Sequence, residues 1–108
     1  MILTKKYLGQ HFLINKKISE KIANSLTPNS NQHILEVGPG HGALTNFLVE
    51  KKYNLQVIEI DIDCVNLLRK KYQSLKIIHG DFLKIDLKKI LTPNHIIIGN
   101  FPYNISSQ

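Results

Sequence analysis

Residues 33–45 read HILEVGPGHGALT, and this stretch decides the fold. The mostly apolar run His33–Val37 is typical of a buried parallel strand. Three glycines follow at alternate positions, Gly38, Gly40 and Gly42. They let the backbone approach a ligand closely at the start of the next helix. The stretch therefore predicts a strand that runs directly into a ligand-binding turn and then into a helix.

The same strand-then-helix pattern recurs along the chain. Three more strands are predicted, at Leu55–Ile60, Leu75–His79 and His95–Gly99. Helices are predicted from Asn15 to about Leu26, through Leu44–Leu48, from Asp61 or Asp63 to Tyr72, and as a short basic turn at Asp86–Leu91. Such repeats are typical of a parallel sheet covered on both faces. In the doubly wound arrangement of such a sheet, a Rossmann-like α/β fold with flanking helices, the expected strand order is 3-2-1-4. Residues 1–31 are predicted to form an arm and a helix, and residues 32–108 the first part of a ligand-binding domain.

The composition is typical of one soluble domain. The 108 residues are 43% hydrophobic and 20% charged, which suffices for a single core. No apolar run approaches the ~18 residues of a membrane span, and the start lacks a secretory signal, so we expect a cytoplasmic protein. The single cysteine, Cys64, has no Cys or His at metal-ligand spacing, and we expect neither a disulfide nor a metal. The net charge of +6 fits a phosphate-rich partner, although the excess of Lys over Arg is also what an AT-rich coding sequence produces.

Polar residues follow the successive strands. Glu59 ends the second strand, 59 − 38 = 21 residues after Gly38, where a nucleotide-binding α/β fold has an acceptor for ribose hydroxyls. After the third strand, we expect Asp81 to accept a hydrogen bond from an adenine amino group and Phe82 to pack on the ring. Asn100 continues the series after the fourth strand. Because the carboxyl ends of parallel strands meet at one edge, these residues predict a single nucleotide site.

Two nucleotides compete for this site. The spacing Gly38-x-Gly40-x-x-Ala43 satisfies the loose fingerprint of NAD binding. Pro39, however, removes a backbone donor that a pyrophosphate would use. Glu36 is expected to place a carboxylate beside the turn, which would repel a diphosphate but suit a cationic sulfonium or amino group. The sequence therefore favours S-adenosylmethionine over NAD.

Residues 99–104 read GNFPYN and indicate the reaction. An exocyclic amine on a base is a poor nucleophile, because its lone pair is delocalised into the ring. Two acceptors on its N–H bonds, the Asn100 side-chain oxygen and the Pro102 carbonyl, would stabilise it as the new bond forms. Tyr103 offers a ring on which the base can stack. The competing interpretation is a plain strand-to-loop turn rich in turn formers.

Taken together, five segments resemble the ribosomal RNA adenine dimethyltransferases. They are QHFL at 10–13, EVGPGHGALT at 36–45, EID at 59–61, GDF at 80–82 and NFPYNISS at 100–107. The resemblance covers essentially the whole chain in the right order. It is strongest to the group that modifies two adjacent adenosines near the 3′ end of small-subunit (16S) ribosomal RNA. His11, Pro39 and Leu44 favour that group over the erythromycin-resistance methylases, which act on large-subunit RNA.

The resemblance implies a class I S-adenosylmethionine-dependent methyltransferase. The reaction would be in-line transfer of the sulfonium methyl to adenine N6, twice, with no metal and no covalent enzyme intermediate. The implied partner is ribosomal RNA in a small-subunit precursor, with no membrane, and the full-length protein would be a monomer. The implied catalytic residues are Asn100, Pro102 and Tyr103. The implied cofactor-binding residues are Gln10, His11, Leu13, Gly38, Gly40, Glu59, Ile60, Asp81, Phe82 and Asn100.

The chain departs from this family in length. Family members continue through three more strands and a helical RNA-binding domain, so the resemblance implies an N-terminal fragment that contains the cofactor half of the site. A non-catalytic RNA-binding fragment is the alternative. In isolation we expect the 108 residues to aggregate or bind cofactor weakly and to be inactive, because Ile96, Ile97 and Ile98 would form an uncovered, uncharged sheet edge.

Overall fold

The computed structural model describes residues 16–27, 32–90 and 94–99. Within these ranges helices and strands alternate as the sequence predicts. In chain order they are α1 Lys16–Ser25, β1 His33–Val37, α2 Ala43–Glu50, β2 Leu55–Glu59, α3 Ile62–Lys71, β3 Lys76–His79, α4 Leu87–Ile90 and β4 His95–Gly99. The bounds of β1 and β4 match the prediction, and β2 and β3 are each one residue shorter. The predicted helix start at Asn15 lies outside the described residues.

The four described strands form one parallel sheet in the order β3-β2-β1-β4. The predicted order 3-2-1-4 is confirmed. In the register, Ile34 of β1 pairs with Leu55 on one side and with Ile96 on the other. The chain moves outward from β1 to β3 and then crosses back to β4. The connection from β1 to β2 and the crossover from β3 to β4 therefore run in opposite directions, so β1 and β4 adjoin a topological switch point, where open α/β sheets bind ligands.

One face of the sheet is covered by helices α1 and α2. Ile34 of β1 and Ile98 of β4 project to this face and are fully buried. They pack in one cluster with Ile22 of α1 and with Leu44 and Leu48 of α2. Since side chains alternate along a strand, the residues next to Ile34 in β1 and before Ile98 in β4 point to the other face. This layer holds the glycine turn against the sheet, because α2 begins directly after that turn.

The other face is covered by the segment after β3. Leu35, Val37 and Ile58 form its buried cluster. Phe82 and Ile85 of the β3–α4 segment pack against them and are partly buried. The residues that follow β3 are therefore part of the core, which fixes the position of the loop relative to the ends of β1 and β2.

The polar residues at two helix starts are caps. Asp61 Oδ1 accepts hydrogen bonds from the backbone N–H of Asp63 at 2.8 Å and of Cys64 at 3.4 Å, so Asp61 rather than Asp63 caps α3. Before α4, Asp86 Oδ1 accepts a hydrogen bond from the Lys88 N–H at 3.1 Å, at the start of the predicted short basic turn. Over the described ranges, the helices are too short or too polar to cross a membrane.

The expected uncovered edge at β4 is found in its backbone and not in its side chains. Ile98 is fully buried, and Ile96 and Ile97 are partly buried against the two opposite core clusters. Alternation along the strand divides the three side chains between the two covered faces. What stays unpaired within the described ranges is the outer backbone edge, since β4 pairs with β1 alone.

Candidate functional site

The turn after β1 needs glycine for a conformational reason. Gly38, Gly40 and Gly42 have φ angles of 65°, 59° and 92°, in the left-handed region that other residues rarely adopt. Gly42 is also the residue that precedes the first turn of α2. The alternating glycines therefore reverse the chain tightly at the carboxyl end of β1.

The N–H groups of this turn are mostly used within the protein. Three of them are bonded at 2.9 Å: Gly38 to the Ile58 carbonyl, Gly40 to Glu59 Oε1, and Gly42 to the Pro39 carbonyl. Pro39 has no N–H to offer. A pyrophosphate needs a row of free backbone donors at such a turn. Four of the five positions in 38–42 provide none, which agrees with the sequence argument against a dinucleotide.

Glu59 is the acidic residue that the geometry holds most firmly. Its side chain is only 6% exposed at the end of β2. Oε1 accepts the Gly40 N–H and Oε2 accepts the Asp61 N–H, each at 2.9 Å. A carboxylate has about four lone-pair directions, so both oxygens retain capacity for further donors such as ribose hydroxyls. The contact with Gly40 also ties the glycine turn to β2.

A cavity of about 230 Å³ lies beside this carboxylate. Its walls are Val37, Gly38, Ile58, Glu59, Ile60, Gly80, Asp81, Phe82 and Leu83. Five of the six predicted cofactor residues within the described ranges are among them. The sixth, Gly40, is connected to the cavity through its bond to Glu59. The structure therefore brings together residues that lie more than 40 positions apart in the sequence.

Asp81 shapes the wall on the β3 side. Its Oδ1 accepts from the Leu83 N–H at 2.9 Å, and its carbonyl accepts from the N–H groups of Lys84 at 2.9 Å and Ile85 at 3.0 Å. The residue is thus a turn former, and its remaining lone pairs are available to an amino group. Nearby, Ile60 is 62% and Leu83 48% exposed. Two open apolar side chains beside a fixed acceptor suit a flat ring with an exocyclic amine.

Four residues of the cavity wall were not among the predicted cofactor residues: Val37, Ile58, Gly80 and Leu83. Leu83 is a wall of the cavity, and its only sequence signal is its position two residues after Asp81. His79 Nε2 lies 3.1 Å from the Ile60 carbonyl, on the exposed side of β3. This contact links β2 and β3, in which Glu59 and His79 are register partners. No local sequence pattern predicts it.

The expectation for Glu36 is corrected by the structure. Its side chain is fully buried on the α2 side of β1, where Thr45 Oγ1 donates a hydrogen bond of 2.6 Å to Oε1. Burial raises the pKa of this carboxyl to about 8, with a further contribution from the charge of Glu59. Glu36 is therefore mostly neutral at pH 7 and is no charged wall of the cavity. Alternation along β1 is the reason, because it points Glu36 away from Val37, which does line the cavity.

The other predicted site residues lie outside the described ranges. They are Gln10, His11, Leu13, Asn100, Pro102 and Tyr103. Their assignment stays a prediction from the sequence. Gly99, the last described residue of β4, is paired with Val37 at the carboxyl edge of the sheet, and Val37 is part of the cavity wall.

Comparison with known proteins gives consistent matches. The family model described as ribosomal RNA adenine dimethylase matches residues 1–108. Ribosomal RNA small subunit methyltransferase A of Parabacteroides distasonis is 46% identical over 110 residues, covering 100% of this chain and 41% of that protein. The chain thus spans about two fifths of the length of the curated relatives it matches.

Two solved structures share the fold. A dimethyladenosine transferase from Plasmodium falciparum superposes with a TM-score of 0.67 at 30% identity, covering 86% of this chain and 34% of that one. The 23S rRNA methyltransferase ErmE also gives a TM-score of 0.67, at 27% identity, covering 86% of this chain and 38% of that one. The fold prediction is confirmed.

Proposed function

Because the chain belongs to the ribosomal RNA adenine dimethylase family, we propose that it forms the cofactor-binding part of an adenine-N6 dimethyltransferase. The substrate class is small-subunit (16S) ribosomal RNA, in which two adjacent adenosines receive methyl groups from S-adenosylmethionine during ribosome maturation. The observation that carries this proposal is the setting of Glu59. It is a fixed acceptor on a cavity wall, beside a turn whose three glycine N–H groups are bonded within the protein.

The described residues fit this cofactor better than a dinucleotide. Glu59 is suited to hold the ribose hydroxyls, and Asp81 to accept from the adenine amino group. Ile60 and Phe82 flank the same cavity and supply apolar contact for the ring. Gln10, His11 and Leu13 are assigned to the methionine end by the family resemblance. When bound, S-adenosylmethionine supplies the methyl group for transfer and is converted to S-adenosylhomocysteine.

We assign binding and activation of the target adenine to the residues that follow β4. In this proposal Asn100 and Pro102 accept hydrogen bonds from the adenine amino group, which favours the tetrahedral nitrogen that develops during transfer. Tyr103 stacks on the base, which must leave its helix to reach the pocket. The nitrogen loses one proton with each methyl it gains. We further propose a cytoplasmic protein that is monomeric at full length.

The direct test is methyl transfer to defined ribosomal particles. The natural protein that carries this chain is incubated with radiolabelled S-adenosylmethionine and unmodified small or large subunits. We expect N6,N6-dimethyladenosine at two adjacent positions in small-subunit RNA. Methylation confined to large-subunit RNA would instead assign the protein to the erythromycin-resistance type, and labelling of neither subunit would contradict the enzymatic proposal.

Two substitutions separate cofactor binding from chemistry. Glu59→Ala should weaken S-adenosylmethionine binding by about 1–3 kcal/mol, the usual scale for losing a charged acceptor. Asn100→Ala should lower turnover more than it raises the cofactor dissociation constant, since its bonds strengthen in the transition state. Asp63→Ala is the control for Glu59, because Asp63 is an exposed carboxylate outside the cavity wall. If calorimetry gave equal affinities for Glu59→Ala and Asp63→Ala, Glu59 would not hold the cofactor.

A further inference from the structure

Charged residues are segregated between the two ends of the sheet. The carboxylates that follow β2 and β3 lie at the cavity end: Glu59, Asp61, Asp63 and Asp81. The opposite end carries an exposed cluster, the basic face, which consists of Lys51, Lys52, Arg69, Lys70, Lys71 and Lys76. Of the described acidic residues, the one that adjoins this face is Glu50, at the end of α2. The described part of the domain therefore has a negative end at the cavity and a positive end at the starts of the strands.

The topology explains why these cations meet. Helices α2 and α3 each connect two parallel strands, so both end where the strands begin. Lys51 and Lys52 occupy the turn after α2, while Arg69–Lys71 form the last turn of α3. Lys76 begins β3 and pairs in register with Gln56. The turn after α2, the last turn of α3 and the start of β3 therefore form one surface, the basic face.

A groove of about 360 Å³ lies within this surface. Its walls come from the ends of both helices and from the strand starts: Val49, Tyr53, Leu55, Lys71, Tyr72, Gln73, Ser74 and Leu75. Two of the walls are anchored tyrosines. Tyr53 donates from its hydroxyl to the Leu26 carbonyl at 3.2 Å, and Tyr72 donates to Asn46 Oδ1 at 3.0 Å. The groove is therefore preformed, and Lys71 of the basic face lies in its wall.

Helix stabilisation accounts for only part of this cluster. Cations in the last turn of a helix interact favourably with its dipole, which explains Arg69, Lys70 and Lys71. Lys51 is the C-cap of α2 and Lys52 follows it, so the same effect also favours these two cations. Lys76 begins β3, where the helix dipole gives no reason for a cation. Like charges at this density repel one another unless a polyanion is bound.

We propose that the basic face binds the sugar–phosphate backbone of RNA at a second place, remote from the reacting adenosine. That the polyanion is RNA rests on the proposed function. The described carboxylates near the cavity repel phosphate. The first cation after them is Lys84, in the β3–α4 segment. The described part of the cavity end therefore contributes little attraction for RNA. The basic face supplies it, and the rim donors Lys71, Gln73 and Ser74 suit phosphate oxygens.

The test compares two sets of three Lys→Gln substitutions in the natural protein that carries this chain. The first set is Lys51, Lys70 and Lys71. The control set is Lys16 and Lys21 of α1 and Lys88 of α4, which are equally exposed and lie away from the basic face. Binding to unmodified small subunits and to a single-stranded RNA is measured over a range of salt concentrations. S-adenosylmethionine affinity is measured in parallel by calorimetry.

For the basic-face set we expect RNA affinity to fall about 10- to 100-fold near 0.1 M salt, and the slope of log K against log salt to flatten by about 2 units. The control set should change the slope by less than about 1 unit. Cofactor affinity should stay unchanged in both sets, which shows that the domain is folded. Equal slopes for the two sets, or an unchanged slope in the first, would overturn the proposal. A parent protein that binds RNA but transfers no methyl group would contradict the proposed function alone.

Discussion

Two glutamates at the residue scale show how position on a strand decides chemistry. Glu59 is held by two backbone N–H groups on the cavity wall. Glu36, on the neighbouring strand, is fully buried with one hydrogen bond from Thr45. Its second oxygen, Oε2, is buried and has no hydrogen-bond partner among the described residues. A buried carboxyl with an unpaired oxygen is stable when neutral, because burial disfavours the charged form.

This burial predicts a pH dependence of stability. The pKa of Glu36 rises from 4.5 to about 8 on folding. Between these values the unfolded chain releases a proton that the folded chain keeps, so this residue lowers the free energy of unfolding as pH rises through the window. Above the folded pKa the loss levels off. Glu36→Gln should remove this fall, since glutamine is neutral throughout and still accepts the Thr45 hydrogen bond.

Urea denaturation at several pH values across the window checks this prediction. Glu50→Gln is the matched control, because Glu50 is an exposed carboxylate on α2 and the charge change is the same. The control should retain the fall that Glu36→Gln abolishes. If the Glu36→Gln variant and the parent lost stability in parallel, the carboxyl would be ionised in the folded protein and the argument from burial would be wrong.

At the scale of one element, β4 depends on its last residue. Gly99 pairs with Val37 of β1 and has a φ angle of 142°. A Cβ at this position would overlap the Val37 carbonyl oxygen and lie 2.8 Å from the Val37 nitrogen. The strand pair is therefore as close as it is because residue 99 has no side chain, and Asn100 follows directly.

Gly99→Ala should therefore destabilise the protein by about 2 kcal/mol or more, the scale of a strained backbone together with a steric clash. It should also lower methyl transfer, because the turn that begins at Asn100 is displaced. Gly80→Ala is the control, since a Cβ there meets Ile85 Cδ1 at 3.7 Å and Ile58 Cδ1 at 4.0 Å, both ordinary contacts. Thermal unfolding of both variants gives the comparison of stability, and methyl transfer is compared between Gly99→Ala and the parent protein. Equal stabilities would contradict the close approach at Gly99.

Over the whole molecule, the two edges of the described sheet differ. The β3 edge begins with Lys76, and an exposed lysine discourages pairing with another chain. The β4 edge carries His95, three isoleucines and Gly99, and none of the described strands pairs with its outer side. An uncharged strand edge of this kind is a template for strand addition.

The 108-residue polypeptide on its own should consequently self-associate in a concentration-dependent manner. A polypeptide extended to the length of the curated relatives should be monodisperse and should bind S-adenosylmethionine more tightly. Light scattering and calorimetry on the two polypeptides measure both properties. A monodisperse 108-residue monomer with the cofactor affinity of the longer protein would contradict the argument from the β4 edge.

The order of the elements was predictable because it depends on local patterns. Apolar runs separated by helical patterns define the strands, and alternating glycines mark the turn after β1. The predicted residues Glu59 and Asp81 do reach one cavity wall, since strand ends of a parallel sheet meet at one edge. The choice between Asp61 and Asp63 as the cap of α3 was open in the sequence, because both carboxylates stand at a plausible N-terminus.

By itself, then, the sequence determined the α/β class and the residues at the strand ends, which follow from periodicity and spacing. The strand order followed from the doubly wound arrangement that this class adopts. Only the tertiary structure decided the states of those residues. The neutral Glu36, the bonded N–H of Gly40 and the groove between Tyr53 and Tyr72 each depend on partners from different elements. Burial and hydrogen bonding are properties of the packed neighbourhood, and residues 9 or 19 positions apart become neighbours only when the sheet and its helices assemble.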